Sequence, residues 1–444
     1  MTSSRLPIGV ETTSRLPKGY NALLLRQWKV FTLLLKIPSP SVDPLNGGLI
    51  YCLKSLGLPR ERNAYEMSLA TYRELRPAYG FDEVAIVPGS ITVNPELTDI
   101  QFSIGEHAFN FPILAAALDA VVDPRFAIEL GRRGGLAVMN LEGLQCRYED
   151  PAEAIAEIVA ASQEGSAAAI QRLTEMPMRE ELIGRRVREI KEGGAACAVS
   201  CTPANTKKLA PIAVDAGADI FVVQSTVTTA RHVSTSPRGL ILEELIENIR
   251  VPVVVGNTVG FNAARELMET GIAGMMVGVG PGAICTSREV LGIGVPQVTA
   301  TIDCAAARDE HYRDTGRYVP IITDGGMRNG GDVCKALAAG ADAVMLGTAF
   351  ARTEEAPAKG YAWGMSTGHR ELPRGVRIRP GVDTTLDRLL FGPTSRTDGT
   401  ENLVGAIRTC MGVCGARTVA EFHEAEMIVA PSIKTEGKVY QLSR

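Results

Sequence analysis

From about residue 80 onward, short apolar runs alternate with amphipathic stretches, and nothing else in the chain restricts its fold as strongly. The runs are Phe111–Ala117, Leu136–Met139, Ala196–Val199, Ile220–Val223, Val251–Val255, Gly274–Val279, Val319–Thr323 and Ala343–Leu346. Helical patterns lie between them, at Asp123–Arg133, Pro151–Glu164, Asn205–Ala216, Leu240–Asn248, Asn262–Glu269, Ser287–Gly292 and Gly331–Ala339. A strand that is apolar throughout is buried on both faces, which is the condition of a parallel sheet covered by helices. Eight such units in roughly 250 residues fit a closed (β/α)8 barrel better than an open sheet. The segments Gly217-Ala218-Asp219, Gly271-Ile272-Ala273 and Gly340-Ala341-Asp342 each close a helix and open a strand, as a C-terminal Gly followed by a buried strand does. The expected class is therefore α/β, a TIM barrel with a flap after its eighth strand and an N-terminal extension.

The flanks differ from this core. In residues 1–60, Ser-Arg-Leu-Pro occurs at 4–7 and again at 14–17, and Glu11 and Asp43 are the only acids against eight Lys and Arg. Residues 1–66 are expected to be an appendage: a poorly ordered tail, upstream sequence joined to a gene that starts at Met67, or a basic, Ser-rich transit peptide. Residues 67–444 are expected to form the barrel. Past the eighth strand, residues 351–400 are rich in Gly, Pro, Arg and Thr and show little periodicity, so a functional flap is expected at about 364–400. A helix resumes near Asn402–Met411.

Composition removes whole classes of function. The net charge is −4, with no basic bias to attract nucleic acid or anionic lipid. Arg26, Lys29 and Lys36 interrupt the Leu-rich region near the N-terminus, so no membrane span is expected. Nine scattered cysteines fit a reduced compartment, and the cytoplasm is the expected location.

Barrel enzymes carry their chemistry just beyond the strand C-termini. Those positions are Asp119, Asn140, Ser200, Gln224-Ser225, Gly256-Asn257, Gly280–Ser287, Asp324-Gly325-Gly326 and Gly347-Thr348. The most informative is Gly278-Val279-Gly280-Pro281-Gly282-Ala283-Ile284-Cys285-Thr286-Ser287: three glycines allow a tight turn, and a Cys just before a helix suits a nucleophile. Cys197 with Cys201 and Cys410 with Cys414 have no nearby His and are expected to be structural. Asp324-Gly325-Gly326 and Gly347-Thr348, after strands seven and eight, suit a phosphate site, because Gly lets backbone N–H groups approach an oxyanion.

Together these residues carry a resemblance. Tyr79-Gly80-Phe81-Asp82-Glu83-Val84 with Val87-Pro88-Gly89, Pro112–Val121, Gly256-Asn257, the Cys285 loop with Gly294-Val295-Pro296-Gln297, Asp324-Gly325-Gly326 and Gly347-Thr348 resemble, in order, the motifs of the IMP dehydrogenase and GMP reductase family over roughly residues 79–430. The short span between Met139 and Cys197 leaves no room for the regulatory CBS pair that normally interrupts that family's barrel. The resemblance implies that Cys285 attacks C2 of a purine nucleotide, with Ser287 keeping the hydroxyl that the family places two residues on. It implies potassium held by the carbonyls of Gly280, Gly282 and Cys285. Asn257, Gly282, Asp324, Gly326, Gly347, Thr348, Gly364 and Met365 would hold the nucleotide, and Gln224, Ser225 and Gly278 the NAD cofactor.

Departures accompany the likeness. Ala116 and Ala283 stand where the family usually has Ser, Met276 where it usually has a basic residue, and Gln224 where dehydrogenases usually have Asp. No Arg-Tyr pair occurs between Gly364 and Gly381; His369, Arg370, Arg374, Arg377 and Arg379 are the candidates to activate water, and Arg374 is the choice. The expected activity is oxidation of IMP to XMP with NAD in guanine nucleotide biosynthesis. GMP reduction with NADPH, a nucleotide-binding homologue without turnover and a flavin-dependent barrel are the alternatives. The family also implies a homo-oligomer, expected to be a tetramer.

Overall fold

The computed structural model describes residues 75–233 and 239–442, so the expected appendage at 1–66 and its boundary at Met67 lie outside the described residues. Twelve strands occur among the described residues: β1 (Val84–Ile86), β2 (Phe102–Ile104), β3 (His107–Phe109), β4 (Ile113–Ala115), β5 (Leu136–Asn140), β6 (Ala198–Cys201), β7 (Ile220–Gln224), β8 (Val253–Thr258), β9 (Gly274–Val277), β10 (Ile321–Asp324), β11 (Ala343–Leu346) and β12 (Met427–Val429). Strands β4 to β11 pair in parallel and in chain order, and β11 returns to β4, so the sheet is a closed eight-stranded barrel. Each barrel strand overlaps one of the eight apolar runs.

Val138, Ala198, Val222, Val254, Met276, Ile322 and Met345 fill the barrel with apolar side chains. Phe102, Ile104 and Phe109 of the β2–β3 hairpin join that cluster just ahead of β4 and close the end opposite the strand C-termini. The described barrel interior is thus a packed core, with a cavity at its C-terminal end. Among the described residues, no helix is long and apolar enough to cross a membrane.

The repeated Gly-Ala-Asp segments have a specific purpose. Gly217 and Gly340 take φ of +105° and +107°, which a side chain would resist, and turn the chain from helix to strand. The Asp that follows then accepts a backbone N–H from the neighbouring strand's entry: Asp219 Oδ2 from Cys197 at 2.7 Å, and Asp342 Oδ2 from Ile321 at 2.7 Å. Lys191 neutralises the first carboxylate and the buried Arg308 the second.

The structure corrects the helix pattern in two places. Between β5 and β6 the chain forms three helices, Pro151–Ala160, Ser166–Thr174 and Glu180–Glu192, where the sequence pattern showed one. After β9, Ser287–Leu291 is a short turn of helix, and the helix that covers the barrel is Gln297–Thr315. Its buried side includes Gln297, Thr299, Thr301, Arg308 and His311, so it has no apolar stripe for periodicity to find. The long stretch after β11 is also less irregular than expected. Ala362 and Ile378 pair backbone to backbone and close the base of an excursion, while Leu386–Leu390 forms a helix with Leu386, Leu389 and Leu390 fully buried.

Candidate active site

A cavity of about 480 Å³ opens at the C-terminal end of the barrel. Three strands, β7, β8 and β10, deliver its polar floor. Strand β7 ends in Gln224, β8 carries Asn257 and β10 ends in Asp324; Asn257 Nδ2 donates to Asp324 Oδ2 at 2.8 Å, and Gln224 Nε2 donates to Asn257 Oδ1 at 3.2 Å and to Asp324 Oδ2 at 3.3 Å. Burial pushes the Asp324 carboxyl up to about 6, and the Asn257 bond works against that by favouring the ionised form. Gln224 Oε1 is buried and finds no partner among the described residues.

Beside Asp324, Gly325 and Gly326 take consecutive positive φ values of +85° and +83°, and a Cβ on Gly326 would meet Pro281 at 3.1 Å. Gly326, Gly347 and Thr348 all line the cavity, as the phosphate expectation requires. Arg328 and Arg352 line the same end and went unnoticed in the sequence. Their positions just after the two glycine turns were the available signal. Arg352 is held by Asp383 at 2.8 and 3.0 Å, and Arg328 by Asp332 and Asp82.

The Cys285 loop forms the adjoining wall, with Pro281 and Gly282 against the Gly325-Gly326 turn. Gly278, Gly280, Gly282 and Cys285 all line the cavity, with Gly278 and Gly280 at φ of +145° and +77°. The Cys285 amide donates to the Gly282 carbonyl at 3.0 Å, closing a tight turn. Cys285 Sγ–H donates to Ser287 Oγ at 3.2 Å; Ser287 is fully buried and does not itself line the cavity. Gln297, noticed in the sequence only as part of a motif, pins the strand ends: its Nε2 donates to Val277 O at 2.7 Å and to Asp324 O at 3.0 Å. Burial drives the Cys197 and Cys201 thiols up to about 12, as inert packing groups.

The excursion after β11 reaches over this wall. Thr286 N donates to Arg374 O at 3.2 Å and Val376 N donates to Ile284 O at 2.9 Å, so two rungs of antiparallel ladder tie it to the Cys285 loop. Gly364, Met365 and Arg374 line the cavity. Among the five flap candidates only Arg374 does so, and its Nε is buried without a partner among the described residues. Arg377 is locked on the carbonyls of Ile158 and Val159, Arg370 pairs with Glu175, Arg379 stacks on Tyr361, and His369 Nδ1 accepts the Leu372 amide. Trp363 is buried against Leu144, Ile155 and Ile158, which makes it packing.

A second cavity, of about 300 Å³, shares Ser225, Gly364, Met365 and Arg374 with the first and reaches Asp119, Asn140 and Glu142. Burial raises the Asp119 carboxyl to about 6 against one bond from the Leu144 amide, and its Oδ1 has no partner among the described residues. Of the departures, Ala116 and Ala283 line the main cavity, while Met276 lies fully buried inside the barrel.

Two implied ligands can be tested against these residues. The carbonyls of Gly280 and Cys285 accept no backbone hydrogen bond among the described residues, and that of Gly282 accepts one, so three oxygens on one short loop keep lone pairs for a potassium ion. Gln224, Ser225 and Gly278 line the cavity, Ser225 lines its second lobe as well, and the partnerless Gln224 carbonyl suits a hydroxyl or amide donor of a nicotinamide cofactor.

The fold and site together define a (β/α)8 barrel with a cysteine presented on a glycine-rich loop in the same cavity as a strand-end acid, a cavity large enough for a nucleotide. A family profile described as IMP dehydrogenase / GMP reductase domain matches residues 78–369. An uncharacterized oxidoreductase of Mycolicibacterium smegmatis is 39% identical over 366 residues, covering 80% of this chain and 98% of the relative. The inosine-5'-monophosphate dehydrogenase of Methanocaldococcus jannaschii is 26% identical over 491 residues, covering 85% and 97%. The crystal structure of an IMP dehydrogenase/GMP reductase-like protein from Corynebacterium glutamicum superposes with a TM-score of 0.77 at 36% identity, covering 83% of this chain and 100% of that one. The chain belongs to the IMP dehydrogenase / GMP reductase family of oxidoreductases.

Proposed function

We propose that the protein oxidises IMP to XMP with NAD through a covalent adduct on Cys285, as a step of guanine nucleotide synthesis. The observation that carries this reading is the presence of Cys285 and Arg374, on segments tied by two backbone bonds, in one cavity with Asp324 and Asn257. NAD, when bound beside Gln224, Ser225 and Gly278, supplies the hydride acceptor. The chain's own residues supply the rest. The Cys285 thiolate forms a bond to C2 of the purine, and the hydride leaves that carbon with its electron pair. Ser287 Oγ is the nearest acceptor for the thiol proton. Water then adds at C2, with Arg374 orienting it, and the carbon–sulfur bond breaks to release XMP and restore the thiol.

Asp324 accepts ribose hydroxyl bonds; Gly326, Gly347 and Thr348 offer neutral donors to the phosphate; the backbone of Gly364 and Met365 meets the base, and Asn257 and Gly282 flank it. Potassium on the Gly280, Gly282 and Cys285 carbonyls would hold the nucleophile's loop in shape. A cytoplasmic homotetramer completes the reading.

The test is to incubate purified protein with IMP and NAD, and separately with GMP and NADPH, in K⁺ buffer while following reduced-cofactor absorbance. NADH formation in the first arm is expected. NADPH consumption in the second arm alone would make the protein a GMP reductase, and nucleotide binding without turnover in either arm would make it an inactive homologue.

A further inference from the structure

Away from the cavity, on the outer layer of the barrel, the helix Gly330–Ala338 crosses the helix Leu403–Val413 at close range. A Cβ built on Gly330 would lie 2.5 Å from that of Ala406. The crossing brings three cysteines together: Cys334 on the first helix, Cys410 on the second, and Cys414, which caps the second one turn further on. Cys334 Sγ–H donates to Ala406 O at 3.5 Å, and Cys414 Sγ–H donates to Val87 O at 3.8 Å. Cys410 lies one turn beyond Ala406 on the same helix, next to the carbonyl that Cys334 meets. Cys334 is buried, whereas Cys410 and Cys414 are partly open to solvent. None of the three lines the main cavity or its second lobe. Among the described residues no group of three or more His, Cys, Asp or Glu is arranged to hold a metal, so the cluster calls for a chemistry of thiols themselves.

We propose that Cys410 is a site of reversible oxidation by peroxide and that Cys334 resolves it into a disulfide between the two helices. Asymmetry within the trio supports this order of events. When Cys410 ionises, the Cys334 S–H can turn from the Ala406 carbonyl to the new thiolate, and the Cys414 S–H can do the same. Those two donors hold the Cys410 thiol below its ordinary value although burial opposes them. The same arrangement keeps Cys334 protonated, and burial with the neighbouring Cys410 raises Cys414 to about 11. Of the Cys334–Cys410 pair, the sulfur favoured as thiolate is thus also the one open to solvent.

The step balances. The Cys410 thiolate attacks one oxygen of hydrogen peroxide, the O–O bond breaks, and Cys410 becomes a sulfenic acid as hydroxide leaves. The Cys334 sulfur then attacks that sulfur, the S–OH bond breaks, and the hydroxyl departs as water with the thiol proton. Two thiols lose two electrons and two protons, and one peroxide becomes two waters.

The experiment uses the full chain and does not depend on what reaction the barrel performs. Protein treated briefly with a few equivalents of hydrogen peroxide and dimedone is expected to carry the dimedone adduct on Cys410. Without dimedone, it is expected to lose about 2 Da and to yield linked tryptic peptides containing Cys334 and Cys410, separable again by dithiothreitol. Cys410 and Cys414 fall on one tryptic peptide, so fragment ions decide which of them is linked. Cys334→Ser is expected to leave the Cys410 sulfenic acid standing, trappable for longer than in the parent chain. A native chain whose only dimedone adduct is on Cys285, or whose link joins Cys410 to Cys414, overturns the proposal; both readings come from the unsubstituted protein and need no variant to fold.

Discussion

Asn257 Nδ2 and Asp324 Oδ2 lie 2.8 Å apart, and that bond favours the charged form of a carboxylate that burial otherwise drives up to about 6. The folded chain therefore holds the Asp324 proton more tightly than the unfolded chain, whose carboxylates titrate near 4. The stability contributed by this group is fully present below about pH 4 and is lost as the pH rises through about 6. Urea unfolding across pH 4 to 7.5 is expected to show stability falling over that window, with Asp324→Asn removing a share on the order of 2 kcal/mol. Asp119, also raised to about 6 by burial, accounts for a second share that survives this substitution. An unchanged slope in the variant would mean that Asp324 titrates normally.

Cys285→Ala is expected to abolish hydride transfer while nucleotide affinity stays within about tenfold, because a nucleophile acts on the transition state more than on ground-state binding. Isothermal titration with IMP and a cofactor-absorbance assay separate the two effects. Turnover retained in the variant would remove the covalent step.

Two arginines only three positions apart should behave as opposites. Arg374→Ala is expected to lower turnover by about 100-fold or more with folding stability preserved, since Arg374 faces the cavity with an unused donor. Arg377→Ala is expected to cost about 2–3 kcal/mol of stability, because its buried guanidinium serves the Ile158 and Val159 carbonyls. Thermal melts and rates on both variants check the contrast, and a reversal of the two phenotypes would move the water-positioning role to Arg377.

Replacing K⁺ by Na⁺ at constant ionic strength is expected to slow the reaction about tenfold, because a carbonyl cage sized for the larger ion holds the smaller one poorly. Equal rates would exclude an ion at Gly280, Gly282 and Cys285.

Light scattering is expected to give a mass near four times the 47.4 kDa of one chain, in keeping with closed point-group association. A single-chain mass with full activity would show that the site needs no neighbour.

The barrel itself was legible because its strands are buried on both faces: Val253, Val254 and Val255 leave no polar residue to interrupt the run, and Gly217 and Gly340 mark where helices stop. The covering helix Gln297–Thr315 was not legible, because Thr301 and Arg308 satisfy their polar groups inside the protein, on Gln297 O and Gly340 O, and so imitate a surface. In the site, the glycine turns and Cys285 announce themselves by local chemistry. Arg374 is already the choice of the sequence; that Arg377 and Arg370 are engaged on Ile158 and Glu175, distant in the chain, is visible only in the fold. The lobe at Asp119 is hidden for the same reason: its walls come from Asn140, Glu142 and the flap.

The two rungs between 284–286 and 374–376 make the Cys285 loop and the flap a single thermodynamic unit. A ligand that steadies the glycine turn around Cys285 must also lower the free energy of the seated flap, and a flap substitution must be felt as a change in affinity at the glycine turn, by the same factor in both directions. A change in the backbone of 374–376 is therefore also a change in how the Cys285 thiol is presented.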